Sequence, residues 1–220
     1  RIAELTGRSE ADVSTSLAAQ DIETQLQVPG PGPEGYLFPD TYRFAQGVPV
    51  DAVLSAMAGR YNSIWTPERR ARLDSLGMSE RELVTLASII QAEARKTDEM
   101  PHISSVFHNR LEQGWLLQAD PTVLYALGGP RARLLYAAID SVQDNPYNTY
   151  TQRGLPPGPI GAPGEAAIEA ALYPVTEEYM YFVARPDGSH VFTKTLADHN
   201  RAKAAARRAW DAIGSGDEVP

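Results

Sequence analysis

The stretch "LVTLASIIQAEARK", Leu83–Lys96, decides how the chain is read. Leu83, Leu86, Ala87 and Ile90 recur at the three- and four-residue spacing of one helix face, and the next position on that face is Glu93. The start of the helix is strongly marked. Ser79 is a good N-cap, Glu82 completes a capping box, and Met78 and Leu83 supply a hydrophobic staple. Two readings fit the glutamate that interrupts the stripe. In one, the stripe simply meets solvent and Glu93 pairs with Arg95 or Lys96. In the other, apolar neighbours partly shelter the carboxyl. Shelter disfavours the charged form and raises the pKa, which a general acid working near neutral pH requires.

Working outward, the periodicity predicts more helices: residues 1–27, polar and broken by a turn at "GRSEADV", then Val50 to about Tyr61, and Thr66–Leu76 with Pro67 in its first turn. Further helices are expected at Pro101–Gln113, from an Asp120 N-cap to a stop at Gly128, at Gly164–Leu172, and over the Ala/Arg-rich "LADHNRAKAAARRAWDAI". "VPGPGPEG", Val28–Gly35, marks a boundary, and residues 129–163 read as loop. The aromatic-rich "YLFPDTYRF", Tyr36–Phe44, predicts short strands or an extended hairpin, and "YMYFVARPDGSHVFTKT" a hairpin around "PDG". The fold class is therefore α+β, mostly helical, with small antiparallel β elements.

The 220 residues are 43% apolar and 22% charged, ordinary globular values. A net charge of −8 argues against a broad basic surface for nucleic acid. With no cysteine, disulfides, thiol catalysis and Cys-ligated zinc are excluded. His102, His108, His190 and His199 fall in no metal-ligand spacing, so neither a metal nor a cofactor is expected.

Two segments mix polar and backbone-restricting residues in a way that suits sugars. "FHNRLEQGWLLQADPT" offers Asn109, Arg110, Gln118, Asp120 and Thr122; "NPYNTYTQRGLPPGPIGAPG" offers Tyr147, Asn148, Thr149 and Tyr150 before a stiff loop. Aromatic faces suit pyranose C–H surfaces, while amides and charged groups suit hydroxyl and acetamido groups. Each residue also has a plain structural use. Asp120 is equally an N-cap, Tyr147 and Tyr150 are equally core aromatics, and a Pro/Gly-rich loop is often a connector.

"EGYLFPDTYRF", "LASIIQAEA", "VFHNRLEQGWLLQADPTVLYALG", "NPYNTYTQRGLPPGPIGAPG" and "YFVARPDGSHVFTKTLADHN" follow one another in the order and spacing of the YceG-like family of endolytic murein transglycosylases. The resemblance covers roughly Glu34 to Asn200. It implies cleavage of the β-1,4 bond between N-acetylmuramic acid and N-acetylglucosamine within peptidoglycan strands, leaving a 1,6-anhydro-muramyl end. The family's catalytic glutamate matches Glu93. Many relatives carry an acid two positions earlier, where this chain has Gln91, so Glu93 is the only carboxylate left in that motif. The resemblance further implies that Asn109, Arg110, Gln118, Asp120 and Thr122 lie near Glu93, with Tyr147, Asn148 and Tyr150 as sugar contacts. Arg110 is alternatively a clamp on Asp120 or Asp40, and Asp40 and Thr41 either turn the chain or face substrate. No lysine stands in a motif suited to pyridoxal phosphate, which sets aside an aminodeoxychorismate lyase.

By the same resemblance, residues 1–27 are the helical end of a truncated LysM-like region and 28–220 the catalytic domain. An N-terminal membrane anchor is expected upstream of Arg1, which would hold the full protein at the extracytoplasmic face of the bacterial cytoplasmic membrane beside penicillin-binding-protein synthases. Two other functions fit the same motifs: a non-catalytic glycan-binding module that recruits synthases, and a hydrolase. The hydrolase needs a second carboxylate ~5–9 Å from Glu93, with Asp40 and Asp120 as the candidates.

Overall fold

The structure is a computed structural model that describes residues 1–131 and 134–214. Its axis is helix α6, Glu80–Glu93. The expected capping box forms: Ser79 Oγ accepts from the Glu82 backbone N–H, and the Glu82 carboxylate accepts from the Ser79 N–H at 2.8 Å. Every residue from Leu83 to Ile90 is buried, more than the single stripe that the sequence displayed. The reason is that α6 is covered on several sides. Helix α7, Met100–Glu112, and helix α10, Glu165–Leu172, both pack on it. The Pro-rich loop before α10 also crosses it, with the Ile160 N–H donating to Ser88 Oγ at 3.0 Å. Gly35 makes room for that crossing. Its φ is 89°, and a Cβ there would lie 2.5 Å from Pro159 Cγ.

Helices α1, Ile2–Thr6, α2, Glu10–Leu17, and α3, Ile22–Leu26, pack against α4, Val50–Ser63. Their buried Val13, Ile22 and Leu26 join the same apolar cluster as Leu54, Tyr61 and the core of α6. Helix α5, Pro67–Leu76, starts as expected, with Thr66 capping and Pro67 in the first turn. The expected end of the catalytic unit, at residue 220, lies outside the described residues.

Two expectations are corrected. Tyr36–Phe44 forms neither strands nor a hairpin. Among the described residues no strand pairs with it, and its aromatics find side-chain partners instead. Tyr36 meets Tyr61 edge-on at 5.2 Å, Arg60 lies 4.9 Å over Phe38, and Tyr42 stacks on Phe44 at 6.0 Å. Second, Asp120 is not an N-cap. Helix α8, Asp120–Ala126, is capped by Ala119 without a side-chain bond, so Asp120 opens the first turn and its carboxylate is free for another partner.

The hairpin forms where expected. Strand β1, Tyr181–Ala184, pairs antiparallel with β2, His190–Thr193, in the register Tyr181↔Thr193 and Ala184↔His190. Helix α11, Leu196–Gly214, packs on it. A short helix that the sequence did not announce, α9, Tyr136–Asp140, interrupts the long loop after α8.

Candidate active site

Glu93 is the last residue of α6 and faces a cleft of about 620 Å³. Arg110 from α7, Gln118, Asp120 at the start of α8, Tyr150 and Tyr181 of β1 line the same cleft. A further wall comes from α11, whose Leu196, His199, Asn200 and Lys203 recur at the spacing of one helix face. Glu93 as a whole is half-buried, because one edge opens to the cleft, while the carboxyl itself is packed among protein atoms. That burial, reinforced by the charge of Asp120 and opposed by Arg110, pushes its pKa up to about 8.

Asp120 is held differently. The Tyr150 hydroxyl donates to its Oδ1 at 2.5 Å, across an exposed edge of the cleft. Burial and this bond both push the Tyr150 pKa up, so the phenol stays protonated and remains a donor. Among the described residues the cleft thus contains two carboxyls in unlike settings, one sheltered among protein atoms and one solvated and hydrogen-bonded. Such a pair divides acid from carboxylate roles.

Arg110 does not clamp Asp120 or Asp40. Its Nε donates to the Met180 carbonyl at 2.9 Å and its guanidinium also donates to the Leu117 carbonyl at 2.5 Å. Buried and fixed by these two carbonyls, it ties α7 to the hairpin and leaves a positive charge beneath the cleft. Asp40 is not among the cleft-lining residues. It turns the chain by accepting from the Thr41 N–H at 2.7 Å, and it pairs with Arg60 at 2.9 Å.

Gln118 sits in the left-handed region at φ 49°, and its N–H donates to the Thr149 carbonyl at 3.0 Å. For a residue with a Cβ this costs about 1–2 kcal/mol, and such strain is concentrated at functional sites.

Four of the sequence-predicted site residues lie outside the cleft lining. Asn109 donates to the Glu177 and Tyr179 carbonyls, both at 2.8 Å, and fastens the strand approach to α7. Thr122 is buried, bonded to the Ala119 carbonyl at 2.7 Å and to Thr149 Oγ1 at 2.8 Å. Asn148 is buried and donates to the Ile139 and Val142 carbonyls, while its Oδ1 accepts from the Tyr150 N–H. Tyr147 packs on Tyr125 with ring centroids 4.8 Å apart. Thr122 and Asn148 hold Asp120 and Tyr150 in place from below. Gln91 also faces elsewhere: its Oε1 accepts from the Gly164 N–H at 3.2 Å, at the start of α10.

The sequence reading missed Tyr136, Tyr181 and the face of α11. His199 stacks on Tyr181 at 4.9 Å, and burial, then Lys203 and Arg110, hold its pKa below the usual histidine value. The signal in α11 was the Leu196, His199, Asn200, Lys203 spacing, which reads as ordinary amphipathicity until the hairpin shows where that face points.

The sequence profile of the YceG-like family matches residues 2–205. The endolytic murein transglycosylase of Bacillus subtilis (strain 168) is 43% identical over 171 residues, 77% of this chain and 47% of that protein. The endolytic murein transglycosylase of Streptococcus pneumoniae serotype 2 is 33% identical over 172 residues, 76% of this chain and 31% of its own length. The chain therefore spans less than half the length of these curated relatives. The crystal structure of a yceG-like protein from Listeria monocytogenes superposes with a TM-score of 0.72 at 35% identity, covering 91% of this chain and 66% of that one.

Proposed function

The chain belongs to the YceG-like family, and on that premise we propose that it is the core of an endolytic peptidoglycan lytic transglycosylase with Glu93 as its acid and base. The observation that carries the proposal is the sheltered Glu93 carboxyl, with a pKa pushed up to about 8, at the cleft. A carboxyl protonated at neutral pH donates its proton to the glycosidic oxygen as the bond to the muramyl C1 breaks. The substrate's own 2-acetamido oxygen relieves the positive charge at C1. Glu93, now a carboxylate, accepts the proton of the C6 hydroxyl, and O6 attacks C1 to close the 1,6-anhydro ring. No water is consumed. Holding that hydroxyl beside C1 is a proximity effect of roughly several kcal/mol.

Asp120 contributes its negative charge. It raises the Glu93 pKa before the reaction and faces the developing positive charge during it. Tyr150 keeps that carboxylate in position. In this reading Arg110, Gln118 and Tyr150 line the substrate path, while Asn109, Thr122, Tyr147 and Asn148 support it from outside. Residues 1–27 are the end of a LysM-like region resting on a catalytic unit from residue 28 onward, and their packing on α4 supports a fixed junction.

The polymer substrate lies outside the cytoplasmic membrane, which supports an extracytoplasmic site of action for the full protein, anchored by a segment outside this chain and working beside penicillin-binding-protein synthases. Among the described residues no helix is long and apolar enough to cross a membrane.

The proposal is tested with Glu93→Gln, which keeps the side-chain shape and removes the titrating proton. Folded protein that no longer cleaves glycan strands is the expected result. Unimpaired cleavage by that variant refutes the assignment.

A further inference from the structure

The cleft continues past Asp120. A second recess of about 290 Å³ opens between Asp120, Tyr150 and the segment from Leu134 to Ile139, and it shares Asp120, Tyr136 and Tyr150 with the cavity at Glu93. Its outer wall carries Tyr136, 83% exposed, and Leu135, 54% exposed. Adjacent large apolar side chains left in water beside a cavity, as distinct from singly scattered ones, offer a contact surface. Among the described residues the Tyr136 side chain has no ring stacked on it and no hydrogen-bond partner, although other tyrosines at the cleft, Tyr150 and Tyr181, both have one or the other.

We infer that this recess is an outer saccharide subsite, in which the Tyr136 ring stacks on a sugar of the same strand whose scissile bond lies at Glu93. The inference rests on the reading of the cleft as a glycan site and deepens it. The recess has the two kinds of surface that a pyranose needs. Tyr136, Leu134 and Ile139 offer apolar area to the C–H face, and the Asp120 carboxylate and Tyr150 hydroxyl offer polar groups to the ring hydroxyls. At about 290 Å³ it lies just below the ~300–1,000 Å³ range for small-ligand sites, room for a single sugar ring and too small for a helix or strand of a partner protein. Continuity decides between a polymer and a separate small ligand. The two cavities share three residues, so a chain-like ligand that fills one is led into the other. An enzyme that cuts within a strand needs such a hold on sugars away from the reacting bond, and remote binding of this kind raises productive capture.

The test uses the whole chain in the Glu93→Gln background, so that ligand is not consumed, with and without Tyr136→Ala or Tyr136→Phe. The probes are a disaccharide and a longer oligomer of β-1,4-linked N-acetylglucosamine, with affinities read by calorimetry. The longer oligomer is expected to bind more tightly than the disaccharide to the parent protein. Tyr136→Ala should remove about tenfold of the affinity for the oligomer, and Tyr136→Phe, which keeps the ring, should retain it. Because Tyr136 is exposed, unchanged melting of both variants is expected and excludes unfolding as the cause. Equal oligomer affinity in the parent and Tyr136→Ala overturns the inference, as does an equal loss with Phe or an absence of oligomer binding. Cleavage of peptidoglycan by the chain that retains Glu93 is scored separately. Ring-dependent binding without cleavage would leave the subsite standing and remove the lyase.

Discussion

Replacing Glu93 with glutamine should stabilise the protein, and by an amount that depends on pH. An unfolded chain ionises this glutamate near 4.5, whereas the native pocket pushes it up to about 8. The native state therefore holds a proton at pH 7 that the unfolded state has released. Keeping it there costs on the order of 3 kcal/mol if the full difference applies. Water at the open edge of the cleft screens part of this, which leaves about 1–2 kcal/mol. The sign follows from the raised native pKa. The contribution is favourable below about pH 4.5, where both states are protonated, and it is lost as pH rises through about 8. Glutamine is neutral throughout and carries no such dependence. Denaturant unfolding of both proteins at several pH values between 5 and 8 measures the gap. The curves should nearly coincide at pH 5, and Glu93→Gln should lead by about 1–2 kcal/mol near pH 8, equivalent to a melting difference of roughly 3–6 °C. A constant gap across the range, or a wild-type protein that gains on the variant as pH rises, would refute the claim that the pocket shelters a protonated carboxyl.

The same electrostatics predict kinetics. Cleavage should fall as pH rises through about 8, and Asp120→Asn, which removes the neighbouring negative charge, should move that fall to lower pH by roughly half a unit to one unit; an unmoved limb in the pH–rate profile removes Asp120 from the account. Arg110→Met should destabilise by about 2–4 kcal/mol in denaturant unfolding, because the buried Leu117 and Met180 carbonyls lose their donors. A change below about 0.5 kcal/mol would show that these carbonyls find other partners.

The parts of this structure that were legible in the sequence are those governed by local rules. The Ser79–Glu82 box, the Thr66–Pro67 start and the hairpin around "PDG" each depend on a few adjacent residues, and each formed. Glu93 stood out because it broke a periodicity. The failures came where a residue's partner is distant in sequence. Tyr36–Phe44 has strand-like composition, yet a strand needs a neighbouring backbone and this segment met the side chains of α4 instead. Asn109, Thr122 and Asn148 have the polar groups of a binding site, but backbone carbonyls of the strand approach, the loop before α8 and the short helix α9 claim them. No local pattern tells a polar side chain aimed at a ligand from one that satisfies a buried carbonyl. Tyr136 was hidden for the opposite reason: α9 is too short to show a period, and only its position beside Asp120 gives its ring a meaning.

In the proposed mechanism one sheltered carboxyl suffices because the substrate supplies the nucleophile. Digestion of peptidoglycan strands in ¹⁸O-labelled water, followed by mass spectrometry of the new muramyl ends, tests it most directly. Anhydro ends without label are the expected product. Reducing ends that are heavier by one water and carry one labelled oxygen would contradict it: water would then be the nucleophile, and Asp120, the other carboxylate lining the cleft among the described residues, would be the base that activates it.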